Sequence, residues 1–245
     1  MLVNEMLDFI SRGRTDYIVE LLKEPGWQDL LHQGQIKPMQ WLVYYNDTTA
    51  LRMIMDAGGD LKSIDLNKEL GHAAFFGHWK VCDFLIQNGA DVNTTVDRTN
   101  ETPLHNALAK AGRPYYFYVV RLLVEKGANV NAKTNSGMET AAFMRDVRTK
   151  GETPLHRAAA YANEKTIEFL IRHGADKEAR DANGDSPLSW ASEHLRPGSV
   201  LSLLSYGSYR ISDAHKSINI SDHGHGWGNS MDWNLFGDYL PDKMI

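Results

Sequence analysis

The sequence predicts an all-α solenoid of helix-turn-helix units stacked side by side, and three observations carry that prediction. Thr-Pro-Leu-His occurs at residues 102–105 and again at 153–156, with a weaker Ser-Pro-Leu-Ser starting at Ser186, 33 residues after Thr153. A closing glycine recurs in Asn88-Gly89-Ala90-Asp91, Lys126-Gly127-Ala128-Asn129 and His173-Gly174-Ala175-Asp176, and Gly174 to Gly207 is again 33 residues. Between signature and glycine, apolar residues fall at helical spacing.

The stretch from Gly151 to Asp176 shows the unit most plainly. Thr153 and Pro154 open a first helix, since Thr caps free N–H groups and Pro at the first helical position has no N–H to leave unpaired. Leu155, Ala158 and Ala159 form its narrow apolar face. Residues 162–164 break the pattern. A second helix carrying Ile167, Phe169, Leu170 and Ile171 then stops at Gly174, a residue suited to a left-handed helix end. Such a pair cannot bury its apolar face alone, so it needs copies on either side.

This TPLHxA signature with its 33-residue period resembles the ankyrin repeat family. The resemblance covers residues 1–207 and implies helical hairpins joined by β-hairpin fingers. Residues 2–26 are expected to form an N-terminal capping repeat, with Leu7, Phe9 and Ile10, then Tyr17, Ile18, Leu21 and Leu22, as its apolar stripes. Further repeats follow at 37–60, 68–93, 102–131, 151–178 and, as a C-terminal cap, 184–207, about six in all. The third has Glu69 in place of Pro and Gly71 in place of His, so it is expected to lose capping hydrogen bonds and be less rigid at its start. Gly127 to Gly174 is 47 residues, 14 above the period. The excess maps to an insertion at 138–150 extending the finger between repeats four and five, and such insertions fall in loops on one face, often the binding face. Residues 208–245 match no repeat and are read as a tail containing Gly, His and Trp.

Composition narrows the function. The chain has 245 residues and a formal charge of −5, without the basic footprint of a nucleic-acid binder. Its one cysteine, Cys82, falls among apolar residues of a second helix, so no disulfide framework exists; a reducing compartment, cytoplasmic or nuclear, is expected. No long apolar run or signal peptide is apparent, so no membrane insertion is expected. No Walker, GxSxG, dinucleotide or HExxH motif appears, and no enzyme, cofactor or metal is expected. His105 and His156 are read as ring hydrogen-bond partners of neighbouring backbone. His215, His223 and His225 are an alternative metal set, but a His-x-His without cysteine partners is a weak signal.

What remains is surface. The resemblance implies partner binding on the concave side, at positions seven and eight after the capping residue and just before it. Carried over, the helix slots are Tyr44 and Tyr45, Phe75 and Phe76, Ala109 and Lys110, Ala160 and Tyr161, Glu193 and His194. Four consecutive aromatics read either as core under the hairpins or as a contiguous interaction patch; the second is adopted. The finger slots include Arg98, Glu101, Lys150, Glu152 and Asp185, and with Arg145 and Arg148 in the insertion one finger is basic. A partner protein or peptide with an apolar segment followed by acidic residues would complement this arrangement. The protein is expected to be monomeric. Asn93 and Asn131 sit in a Val-Asn step that, in animal family members, can be a substrate of an asparaginyl hydroxylase.

Overall fold

The computed structural model describes residues 3–32, 38–109, 112–140 and 148–207. The chain opens with α1 (Val3–Ser11), a 3₁₀ turn (Thr15–Tyr17), α2 (Ile18–Leu21) and α3 (Trp27–His32). Helices then come in pairs: α4 (Pro38–Tyr44) with α5 (Thr48–Asp56), α6 (Leu66–Phe76) with α7 (Trp79–Gln87), and α8 (Pro103–Leu108) with α9 (Tyr116–Glu125). The last two pairs are α10 (Pro154–Tyr161) with α11 (Glu164–Arg172) and α12 (Pro187–Glu193) with α13 (Gly198–Leu204). First helices pack on first helices, from α4 through α6, α8 and α10 to α12, and second helices form a parallel row from α5 to α13.

The small first-helix stripe explains this close stacking. Ala73, Ala74, Ala107, Ala158, Ala159 and Ala191 are all fully enclosed, and short side chains let neighbouring helices approach. One continuous apolar cluster runs from Met6 to Leu204. Cys82 belongs to it, and burial pushes its thiol well above the usual range, so it stays an inert apolar filler. No repeat signature marks α3, although its Trp27 and Leu31 are buried.

The helix ends follow local chemistry. Gly89, Gly127 and Gly174 close their units with φ near +100, +94 and +87°, a region where a side chain would be strained. The third repeat corrects the expectation of a looser start. Its helix begins earlier, at Leu66, and the Asp65 carboxylate caps it by accepting from the N–H groups of Asn67 and Lys68. Glu69, standing where other repeats have Pro, is buried and accepts from Gln40 Nε2 at 3.0 Å.

The fingers also differ from expectation. Among the described residues they are turns rather than β-strands, and the β-pairing present is an isolated antiparallel bridge between Glu139 and Arg148. Their backbone groups are satisfied largely between fingers: Asn135 N–H donates to Thr99 O at 2.8 Å and Ala182 N–H to Lys150 O at 2.7 Å. Asparagine side chains extend this lateral tie. The Asn93 amide donates to Gly127 O and accepts from Asn129 N–H, and Asn131 does the same with Gly174 O and Asp176 N–H. No helix among the described residues is long and apolar enough to cross a membrane.

Candidate functional site

The aromatic slots of the second and third repeats come together on the first-helix layer. Tyr44 and Phe76 meet edge to face at 5.4 Å between ring centres, Phe75 and Phe76 at 5.3 Å, and Tyr44 and Tyr45 at 5.1 Å. Tyr44 is 50% exposed and Phe76 37%, while Phe75 is half-buried. They sit here because positions seven and eight fall at the C-terminal ends of α4 and α6, beyond the buried stripe of each helix (Met39, Leu42 and Val43 in α4, Leu70, Ala73 and Ala74 in α6).

Tyr45, 38% exposed, has a second duty. Its hydroxyl donates to Ser11 O at 2.9 Å, and its ring lies across Gly13, which has no Cβ to obstruct it. The next units repeat this edge contact. His78 Nδ1 lies 3.2 Å from Val43 O, and the Tyr116 hydroxyl donates to Phe75 O at 2.8 Å. Tyr45 is therefore part of a ladder in which each unit holds the end of the preceding first helix.

A groove of about 810 Å³ adjoins the exposed rings. Tyr44, Phe75 and Phe76 line one side and the Thr94–Asp97 turn the other, with Gly71, Pro103 and Asn106 between them. Asp65, Lys68, His72, Asp97 and Glu101 supply its ionisable lining. Val96, half-exposed on the turn, and the exposed Trp79, Tyr115 and Tyr118 are not assigned to the binding surface by the sequence pattern. For Tyr115 and Tyr118 a signal is present: four consecutive aromatics from Tyr115 to Tyr118 cannot all face one side of a helix.

Several finger positions are corrected. Glu101 and Glu152, expected on the binding surface, are 3% and 1% exposed. They turn inward because Arg157, itself fully buried, lies between them. Its Nε and Nη2 donate to Glu152 Oε1 at 2.9 and 2.6 Å, its Nη2 to Glu101 Oε1 at 2.8 Å, and its Nη1 to His105 O at 3.1 Å. Thr140 Oγ1 donates to Glu101, while Thr134 Oγ1 and Lys150 N–H donate to Glu152. This buried cluster locks the insertion's neck onto repeats four and five. Burial alone would raise the Glu152 carboxyl, but the Arg157 charge and the Thr134 hydroxyl outweigh it and hold it at about 2.

Lys150 is half-buried, with its ammonium 5.3 Å over the Trp190 ring. Tyr161 and His194 pair with each other, hydroxyl to Nε2 at 3.2 Å, at the C-terminal end of the stack. Asp185 is half-buried and gives its carbonyl to the His156 ring. Arg98 and Arg148 are exposed. Lys110, Arg145 and the tail histidines lie outside the described residues.

The two signature histidines are hydrogen-bonding struts, as their motif suggested. Nδ1 of His105 accepts from Thr102 N–H at 3.2 Å, which leaves the proton on Nε2, 3.4 Å from Glu152 O. His156 repeats this with Thr153 and Asp185 O. Burial lowers both rings, and the Arg157 charge lowers His105 further, so both are neutral at pH 7. No cluster of three or more His, Cys, Asp or Glu suited to a metal ion occurs among the described residues.

The architecture defines a class: a stack of helical hairpins in which rings of neighbouring first helices and a finger turn line an open groove. The family model for ankyrin repeats (3 copies) matches residues 39–134 and 134–213, and the chain belongs to the ankyrin repeat family. It is similar to the ankyrin repeat and KH domain-containing protein mask-1 of Caenorhabditis elegans, 30% identical over 170 residues, which are 69% of this chain and 6% of that protein. It is also similar to human ankyrin repeat and SOCS box protein 3, 30% identical over 188 residues, 74% of this chain and 33% of that one. Human inversin is 31% identical over 139 residues, 48% of this chain and 13% of that protein. The chain thus spans a third or less of the length of these relatives. Ankyrin repeats generally mediate protein–protein interaction and are typically non-enzymatic.

Proposed function

We propose that the chain is a non-enzymatic interaction scaffold that holds a partner protein or peptide in the groove beside Tyr44, Phe75 and Phe76. One observation carries the reading: large rings at adjoining first-helix ends stay exposed beside a groove, where a soluble solenoid gains nothing from leaving them wet. Rigid aromatic anchors in a concavity supply much of the affinity of protein interfaces. The reading takes the chain as a monomer of about six repeats, with end units at 2–26 and 184–207.

Affinity capture from the native source tests it. Tyr44→Ser with Phe76→Ser should abolish capture while leaving helical content and melting unchanged, since neither side chain carries a stacking bond like that of Tyr45. Capture at the level of the unaltered protein would remove these rings from the site. A second reading is a targeting or regulatory subunit of an enzyme carried by another polypeptide. It draws on the names of two relatives, which join ankyrin repeats to a KH domain and to a SOCS box. Enzymatic activity in the captured complex would favour it; a complex without activity leaves the scaffold.

A further inference from the structure

We propose that the groove selects a cationic segment, an extended stretch of a partner protein that sets an apolar anchor beside a lysine or arginine. This deepens the scaffold reading and rests on it. Among the lining residues, the carboxylates Asp65 and Asp97 stand against a single ammonium, Lys68, with His72 beside them, while Glu101 at the base is engaged by Arg157. Asp65 and Asp97 are exposed at the lip. Behind the lining the balance is the same. Glu69 is buried under His72, 3.2 Å from its Nδ1, and Arg157 is shared by Glu101 and Glu152, so that triad carries one formal negative charge. The rings add to this preference, because their π faces attract a cation brought close to them.

An acidic segment, the partner suggested by the basic residues of the fingers, is less well served. Arg98, Arg148 and Lys150 do not line the groove, and other cations of the finger region are held within the stack. Lys133 Nζ donates to Arg180 O, Arg180 donates to Gly184 O and to the Tyr206 hydroxyl, and Lys150 lies over Trp190. An acidic chain seated beside Tyr44 and Phe76 would meet the lip carboxylates, and like charges in contact cost affinity.

The test is selection of a phage library of random linear peptides on the full chain, followed by fluorescence anisotropy with a synthesised winner. Enriched peptides should combine an apolar residue with lysine or arginine, and replacing those cations by glutamate should abolish binding. Asp65→Asn with Asp97→Asn should weaken the winner about three- to tenfold and flatten its salt dependence. Asparagine at 65 still caps α6, so the fold is kept. Acidic or uncharged winners, no enrichment, or unchanged binding by the double asparagine variant would overturn the inference. The Tyr44→Ser, Phe76→Ser variant separates the two levels. If it loses an acidic or neutral winner, the groove reading stands and the cationic preference falls; if it binds every winner normally, the groove reading itself falls.

Discussion

Arg157→Met should destabilise the protein by about 3–5 kcal/mol at pH 7, because it strands two buried carboxylates. Methionine roughly fills the volume, so the cavity contribution is small and the cost is electrostatic. Four donated hydrogen bonds disappear, two of them onto Glu152 Oε1. Glu101 keeps the Thr140 hydroxyl and Glu152 keeps Thr134 and the Lys150 N–H, which places the loss toward the lower end of the range. The penalty should depend on pH. In the unaltered protein Glu152 is depressed from 4.5 to about 2, so its stabilisation is present above 4.5 and lost as pH falls toward 2. Without Arg157, burial raises the Glu152 carboxyl, and it enters the fold more easily when protonated. The gap between variant and parent should therefore narrow from pH 7 to about pH 4. Urea titration followed by far-UV circular dichroism measures it, and adding Glu101→Gln and Glu152→Gln should recover more than half of the loss. A penalty below about 1 kcal/mol, or an equal one at both pH values, would refute the buried-triad argument.

Three further outcomes follow from the geometry. A Cβ at Gly77 would lie 2.5 Å from the Tyr115 ring with φ at +77°, so Gly77→Ala should cost about 2–3 kcal/mol in melting experiments; Gly89→Ala, strained but facing open space, should cost only about 1. His105, His156 and His78 are all lowered by burial, so their stabilisation is full above the ordinary 6.5 and is lost as pH falls below it. His105 alone should remove about 1.4 kcal/mol by pH 5.5, and a urea midpoint unchanged between about pH 7.5 and 5.5 would contradict this. Tyr116→Phe deletes the bond to Phe75 O and should cost about 1 kcal/mol, with faster amide exchange at residues 75–78; exchange confined to other units would contradict the ladder.

Much of the architecture was legible because its signals are local. Thr102, Pro103 and His105 specify a helix start within four residues, and the closing glycines specify its partner's end. The groove rings were legible from register, since positions seven and eight recur wherever the signature does. Register also puts Tyr45 beside Tyr44 but cannot tell that its hydroxyl reaches Ser11 O, 34 residues earlier. The loose start expected of the third repeat failed because its cap, Asp65, stands three residues before Lys68, where the repeat is read to begin. Glu101 and Glu152 were assigned to the surface because their slot is usually exposed. The warning was Arg157, a charged residue within an otherwise alanine-rich packing stripe.

The linear order of residues determined the helix pairs, their period, the site of the insertion and the aromatic register, all of which depend on neighbours a few residues apart. Only the tertiary structure decided which charges are interior and which rings remain open to a partner. Arg157 reaches Glu101 across 56 residues, and the groove lining comes from α6, a finger turn and α8 together. Electrostatic and packing energies depend on distances in space, and stacking brings together groups whose separation along the chain carries no trace of the contact.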